Sequence, residues 1–144
     1  MTTLSLRPAT TADGPAMGRI GTRAFRTNMS LAIFPAHLRT SATDDAENAW
    51  RAFRTLRRLN EGKDTLVVVD DGEGQEAEEV VGFAQWERPG QASQGLEGHS
   101  EAIETPELDG EALATMMGAM DEETRKQLGP EGHGNMWCKC DAVI

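Results

Sequence analysis

TLVVVDDGEGQEAEEVVGFAQWE, Thr65–Glu87, holds two runs rich in β-branched and aromatic residues on either side of a short, acidic, glycine-containing segment. That pattern predicts two strands, Thr65–Asp70 and Val80–Glu87, joined as an antiparallel hairpin. In the second strand Val80, Gly82, Ala84 and Trp86 share one face, and Val81, Phe83 and Gln85 share the other. Both faces carry apolar groups, so helices are expected on both sides of the sheet.

Upstream, the alternation in LSLRP predicts a strand at Leu4–Pro8. Asp13 is placed to cap a helix over Gly14–Arg26, with Pro15 in the first turn, where a missing N–H costs little. Met17, Ile20, Ala24 and Phe25 form its apolar stripe. Pro35 rules against a continuous helix through TNMSLAIFPAHL. A second helix, Asp45–Asn60, follows a cap at Asp44 or Asp45 and carries Ala46, Ala49, Trp50, Phe53, Leu56 and Leu59, with Gly62 beyond its end. Its Arg51, Arg54, Arg57 and Arg58 read as a solvated face that pairs with local carboxylates.

Downstream, residues 90–105 are rich in Gly, Ser and Glu without periodicity and read as a loop. Leu113, Met116, Met117 and Met120 recur at helical spacing within a helical insert, Glu107–Leu128, in which Asp121 and Glu122 could open a second short helix. Met136–Val143 closes the pattern as a strand. The order strand, helix, helix, strand, strand, helical insert, strand defines an α+β class with one mainly antiparallel sheet, in a single domain spanning 1–144.

At 144 residues the chain is long enough to bury a core without disulfides. With 14 Lys and Arg against 24 Asp and Glu, its net charge of -10 repels phosphate backbones and anionic bilayers, so neither nucleic acid nor membrane is expected as a partner. No apolar leader or spanning run is present in the sequence, and a cytoplasmic location is expected. Cys138 and Cys140, two apart on a strand, suit a reducing compartment. With His133 they make His-x4-Cys-x-Cys, which lacks a fourth ligand and zinc spacing, so they read as buried thiols and no metal is expected. His37 and His99 stand alone in polar loops.

Taken together and in this order, LSLRPATTADGPAM, VVVDD, VVGFAQWERPG and the closing WCKCDAVI resemble the N-terminal half of a GNAT-type N-acetyltransferase. The insert PELDGEALATMMGAMDEETRKQL is similar to that of a subgroup of the family. The resemblance implies a partial acyl-CoA N-acyltransferase fold lacking its C-terminal strands and helices. It also implies acetyl-CoA as co-substrate and a small-molecule or protein amine as acceptor. In the family the strand matching Met136–Ile144 leads into a glycine-rich turn, Gln/Arg-x-x-Gly-x-Gly/Ala, whose backbone N–H groups at a helix N-terminus hold the pyrophosphate. No Gln or Arg in this sequence is followed three residues later by Gly. A shortened domain, inactive alone, is therefore expected, with its last strand an exposed edge open to self-association. The alternative is a non-enzymatic half-domain serving interaction or regulation, or a truncated gene product.

By resemblance, Ala142, Val143 and Ile144 offer backbone groups to the pantetheine arm. Acetyl transfer needs a neutral amine, hence a base. Asp141 is the nearest carboxylate; the competing reading is an Asp that bonds neighbouring backbone N–H groups. Tyr is absent, so the leaving-group acid often assigned in the family has no counterpart, unless Cys138 or Cys140 substitutes. The Met116–Met120 stripe, Trp86 and Phe25 could line an acceptor cleft, but each reads first as packing.

Overall fold

The computed structural model of the chain describes residues 3–27, 29–72, 78–90 and 105–130, and the backbone of 138–143. Four strands form one antiparallel sheet in the order β1 (Leu4–Pro8), β2 (Asp64–Asp70), β3 (Glu79–Glu87) and β4 (Cys138–Val143). Among the described residues β1 and β4 are the edges.

The β2–β3 hairpin forms as the alternation predicts, with one irregularity. Val68 pairs with Gly82 and Val69 with Val80, which leaves Val81 as the extra residue of a bulge. A bulge resets the inside-outside alternation beyond it. Val80 therefore joins the face of Phe83 instead of that of Gly82, and packs on a core of Met17, Val67, Val69 and Phe83.

Helix α1 (Gly14–Phe25) lies on that face. It stops one residue short of the expected end, with Arg26 in the C-cap position. Asp13 precedes it but does not cap it with its side chain. The carboxylate closes a capping box with Thr10 around the 3-10 turn Thr11–Asp13. Ala24, expected in the apolar stripe, is exposed. The close contact runs instead through Gly14, Gly18 and Gly21 to α3 (Thr43–Asn60): a Cβ on Gly18 would stand 2.4 Å from the Asn48 carbonyl oxygen. Only glycine permits that approach.

Thr43 begins α3 two residues earlier than expected, so Asp44 and Asp45 lie in its first turn and act on the helix dipole rather than as caps. Its buried residues are Thr43, Glu47, Trp50, Arg51 and Thr55, a mainly polar stripe; Phe53, Leu56 and Leu59 are only half-buried. Arg51 is accordingly no part of a solvated face. It is buried, ion-paired with Glu47 at 2.8 Å, and stacked over Phe25 and Trp50. Arg54 lies over Trp50, and Arg57 pairs with Glu61.

Pro35 separates a short helix, α2 (Met29–Ile33), from a 3-10 turn at Ala36–Leu38. The insert forms one unbroken helix, α4 (Gly110–Leu128), capped by the Asp109 carboxylate on the Ala112 N–H. Glu107 lies before it, and Asp121 and Glu122 inside it. Leu113 joins Ile33, Phe34 and Trp50 in a second core, with Met116 and Met117 against it; Met120 is exposed. The Asp109 N–H bonds the Ile33 carbonyl, fixing α4 to α2.

The described helices thus pack on one face of the sheet, not both. On the other face Leu4, Leu6 and Leu66 are 58%, 69% and 36% exposed. The segments 91–104 and 131–137 lie outside the described residues, as do Met136, Trp137, His133, His99 and Ile144.

Candidate functional site

Antiparallel pairing sets Asp141 opposite Gln85, Ala142 opposite Ala84 and Val143 opposite Phe83. The backbone of three of the four expected site residues is therefore placed on an edge strand. Ile144 lies outside the described residues. Cys138 stands opposite Glu87 and Lys139 opposite Trp86, so a second irregularity falls at Cys140.

The helix-covered face of β3 changes character along its length. Phe83 belongs to the apolar core, yet the next two inward residues are Gln85 and Glu87, both buried. Burying polar groups costs several kcal/mol unless they are hydrogen-bonded, so their partners explain why the strand tolerates them. Gln85 donates from Nε2 to the Thr55 carbonyl of α3 and to Thr65 Oγ1 of β2, each at 3.0 Å. Glu87 forms a buried ion pair with Lys63, just before β2. Two polar pairs thus lie side by side on this face, Thr65 with Gln85 and Lys63 with Glu87.

The direction of the Gln85 amide is fixed by chemistry. The Thr55 carbonyl can only accept, and Thr65 Oγ1 already donates to the Lys63 carbonyl, so both require a donor from Gln85. Oε1 is thereby turned away from β2 and α3. It is buried and has no hydrogen-bond partner among the described residues. The indole N–H of Trp50 is a second such group, in the other core.

Two further polar assemblies lie away from β4. Ser30 donates to Glu47, which also accepts from Arg51 Nε at 2.8 Å, and Arg51 donates to Ser30 Oγ at 3.2 Å; all three are buried. This triad pins α2 to α3. Arg7 makes a two-pronged contact with Asp13, each bond 2.9 Å, and reaches Glu78. The Arg7 hydrogen bonds, opposed by burial and helped by Thr10 donors, hold the Asp13 pKa down at about 2. The same contact raises that of Arg7. Arg7 and Asp13 line a surface groove of about 550 Å³ with Arg19, Arg23, Arg26 and Asp44. Arg26 is paired with Asp44, and the opposed charges leave the groove without a clear preference for a ligand sign.

Two smaller electrostatic contacts tie loops to elements. The Arg88 hydrogen bonds lower the Asp64 pKa, and donors from Thr105 and then Thr40 lower that of Glu107. Among the described residues no three His, Cys, Asp or Glu side chains converge as a metal site requires, and no helix is long and apolar enough to cross a membrane. His37 is exposed on the 3-10 turn.

Trp86 and Phe25 are both half-buried. Phe25 packs on the first core and under Arg51, as the packing reading expects. Comparison with protein-family models, curated proteins and solved structures returns no match. The fold class these residues define is α+β, with an antiparallel sheet and helices.

Proposed function

We propose that the chain carries the N-terminal half of a GNAT-like N-acetyltransferase fold, directed at an amine acceptor. The supporting observation is topological. Helical regions follow the first strand and pack on one sheet face, and three further strands then extend the antiparallel sheet in chain order, β4 being an edge among the described residues. By the resemblance the thioester would lie along β4, with Ala142 and Val143 offering backbone groups and Asp141 as base; the place of β4 at an edge of the described sheet supports this reading.

The residues fit acetyl-CoA in part. The outer edge of β4 pairs with no described strand, so its backbone groups can meet a peptide-like pantetheine arm. The glycine-rich pyrophosphate turn has no match in these 144 residues. Bound acetyl-CoA would supply the activated acyl group; the chain's own part is to align the arm along the strand and to hold a proton at the Asp141 carboxyl. Each missing charge-assisted bond is worth ~1.5–3 kcal/mol, so affinity for the cofactor falls by orders of magnitude.

The test uses this incompleteness. Acetyl-pantetheine, which lacks the phosphates, and acetyl-CoA should bind the chain with similar millimolar affinity, each shifting the backbone amide NMR signals of Asp141–Val143. Acetyl-CoA binding a hundredfold tighter, or no β4 shift with either ligand, overturns the assignment. A second reading, an interaction module of the same fold, is favoured by the open face bearing Leu4, Leu6 and Leu66. It gains if neither ligand binds while sedimentation shows concentration-dependent association.

A further inference from the structure

We infer that the sheet face turned away from the helices is a docking surface for a basic, amphipathic α-helix of a partner protein. The inference rests on the interaction-module reading and makes no use of acyl transfer. Strand register puts Leu6, Val68 and Gly82 in one row across this face, and Pro8, Leu66 and Ala84 in the next. Leu6 and Leu66 stand out from β1 and β2, 69% and 36% exposed, whereas β3 contributes only a glycine and an alanine to the two rows. The face is therefore stepped. A wall of Leu6, Leu66 and Val68 rises beside a floor of small residues, where another backbone can come close. From Glu79 to Trp86 that floor runs about 23 Å at ~3.3 Å per residue, the length of a helix of about 15 residues.

An isolated exposed leucine is ordinary, but neighbouring apolar side chains on one open sheet face mark an interaction surface. Charge then selects the occupant. On β1–β3 the charged side chains of this face are Asp64, Asp70 and Glu79, all acidic. Asp64 is paired with Arg88. Asp70 lies directly opposite Glu79, and neither has a cationic partner among the described residues; the Asp70 carboxylate accepts only the Gly72 N–H, at 2.9 Å. Like charges opposed across a strand pair repel. A Lys or Arg set over this end of the floor relieves the repulsion, while apolar side chains at helical spacing fill the step. A second copy of the chain brings the same carboxylates and a further net charge of -10, so it is the poorer cover.

The probe is a synthetic peptide of about 15 residues with Leu in an i, i+3, i+4, i+7 stripe and Lys flanking it. Its controls are the same composition with the stripe scrambled, and the same stripe with Glu in place of Lys. Methyl NMR of the intact chain reads the face directly, because alternate residues of β2 point to opposite sides. Leu6, Leu66 and Val68 should shift on addition of the peptide, while Val67 and Val69, packed in the helix-covered core, stay still. Shifts confined to Val67 and Val69, no binding at millimolar peptide, or equal affinity for either control overturns the inference.

Substitution separates the two contributions. The double variant Leu6→Thr with Leu66→Thr alters exposed positions, and its fold is checked by melting; it should weaken the peptide roughly tenfold or more. Asp70→Asn with Glu79→Gln should weaken it several-fold at low salt, and that difference should fade toward about 0.5 M salt. Unchanged affinity in the leucine variant, or in the charge variant at low salt, also overturns the inference. If the same methyls shift on dilution with no peptide present, a second copy is the cover: the interaction-module reading stands and the basic helix falls. The acyl-transfer reading is tested on β4 with acetyl-pantetheine, so either can fail alone.

Discussion

One sheet, two faces: both are lined by apolar side chains from the same strands, yet they have opposite fates. On the helix-covered face Met17, Val67, Val69 and Phe83 are at most 4% exposed, whereas Leu4, Leu6 and Leu66 on the far face are 36% exposed or more. Alternation in a strand therefore states which residues share a face; it does not state what covers that face. The covered face also accommodates polar residues, Thr65, Gln85 and Glu87, because α3 and β2 supply partners for them.

Substitution on the covered face gives the largest contrast. Phe83→Ala removes a buried ring between α1 and the sheet and should cost roughly 3–5 kcal/mol in urea unfolding. A loss under about 1 kcal/mol would mean that this core collapses freely and that the two faces differ less than their burial implies. Gly18→Ala probes how tightly the covering helix sits. Its Cβ would meet the Asn48 carbonyl at 2.4 Å, which only backbone movement can relieve, so a cost of about 1–3 kcal/mol is expected. Gly118 on α4 is the control. Nothing stands within 4 Å of its Cβ position, so Gly118→Ala should stabilise by roughly 0.5–1 kcal/mol through helix propensity alone.

Much of the covered face was legible in the sequence, because period-two alternation and a short glycine-bearing turn define the hairpin. The bulge at Val68–Val69 was not, since a run of valines looks the same in either register. The polar stripe of α3 escaped for a related reason. Glu47, Arg51 and Thr55 have the helical spacing of a solvated face, and the hydrogen-bond partner that two of them share is Ser30, 17 residues away from Glu47. The α2 helix, at five residues, is too short to show a period. Of the candidate site, Asp141 was visible as a carboxylate near a strand end. Gln85 was assigned only to a face, because the bonds that orient it come from residues 30 and 20 positions distant.

The Arg7–Asp13 contact is the hinge between β1, whose apolar residues are open, and the first turn of the covering helix. The Asp13 pKa of about 2 lies below the ordinary unfolded value of ~3.9. A depressed acid contributes stability that is present above the unfolded value and lost as pH falls through the folded one. The full shift would correspond to roughly 2.6 kcal/mol, but Arg7 is 32% exposed and partly screened, so Asp13→Asn should cost about 1–2 kcal/mol at pH 7. The difference between the variant and the native chain should shrink as pH is lowered from about 4 to 2. A difference that persists undiminished there would assign the cost to the lost capping geometry at Thr10 rather than to charge.

The smallest expected effect tests the comparison most directly. Leu6→Thr introduces a β-branched, strand-compatible residue and removes apolar area that is 69% exposed, so the folded chain should change by no more than about 0.5 kcal/mol. A cost of 2 kcal/mol would require Leu6 to be buried in solution, because a side chain already in water has little transfer energy to lose. Dilution would then identify the cover. A second copy of the chain lowers the unfolding midpoint as protein concentration falls, whereas a cover supplied by the same chain leaves it unchanged. The magnitude at one exposed leucine thus separates a sheet with one covered face from a sheet whose second cover forms only in solution.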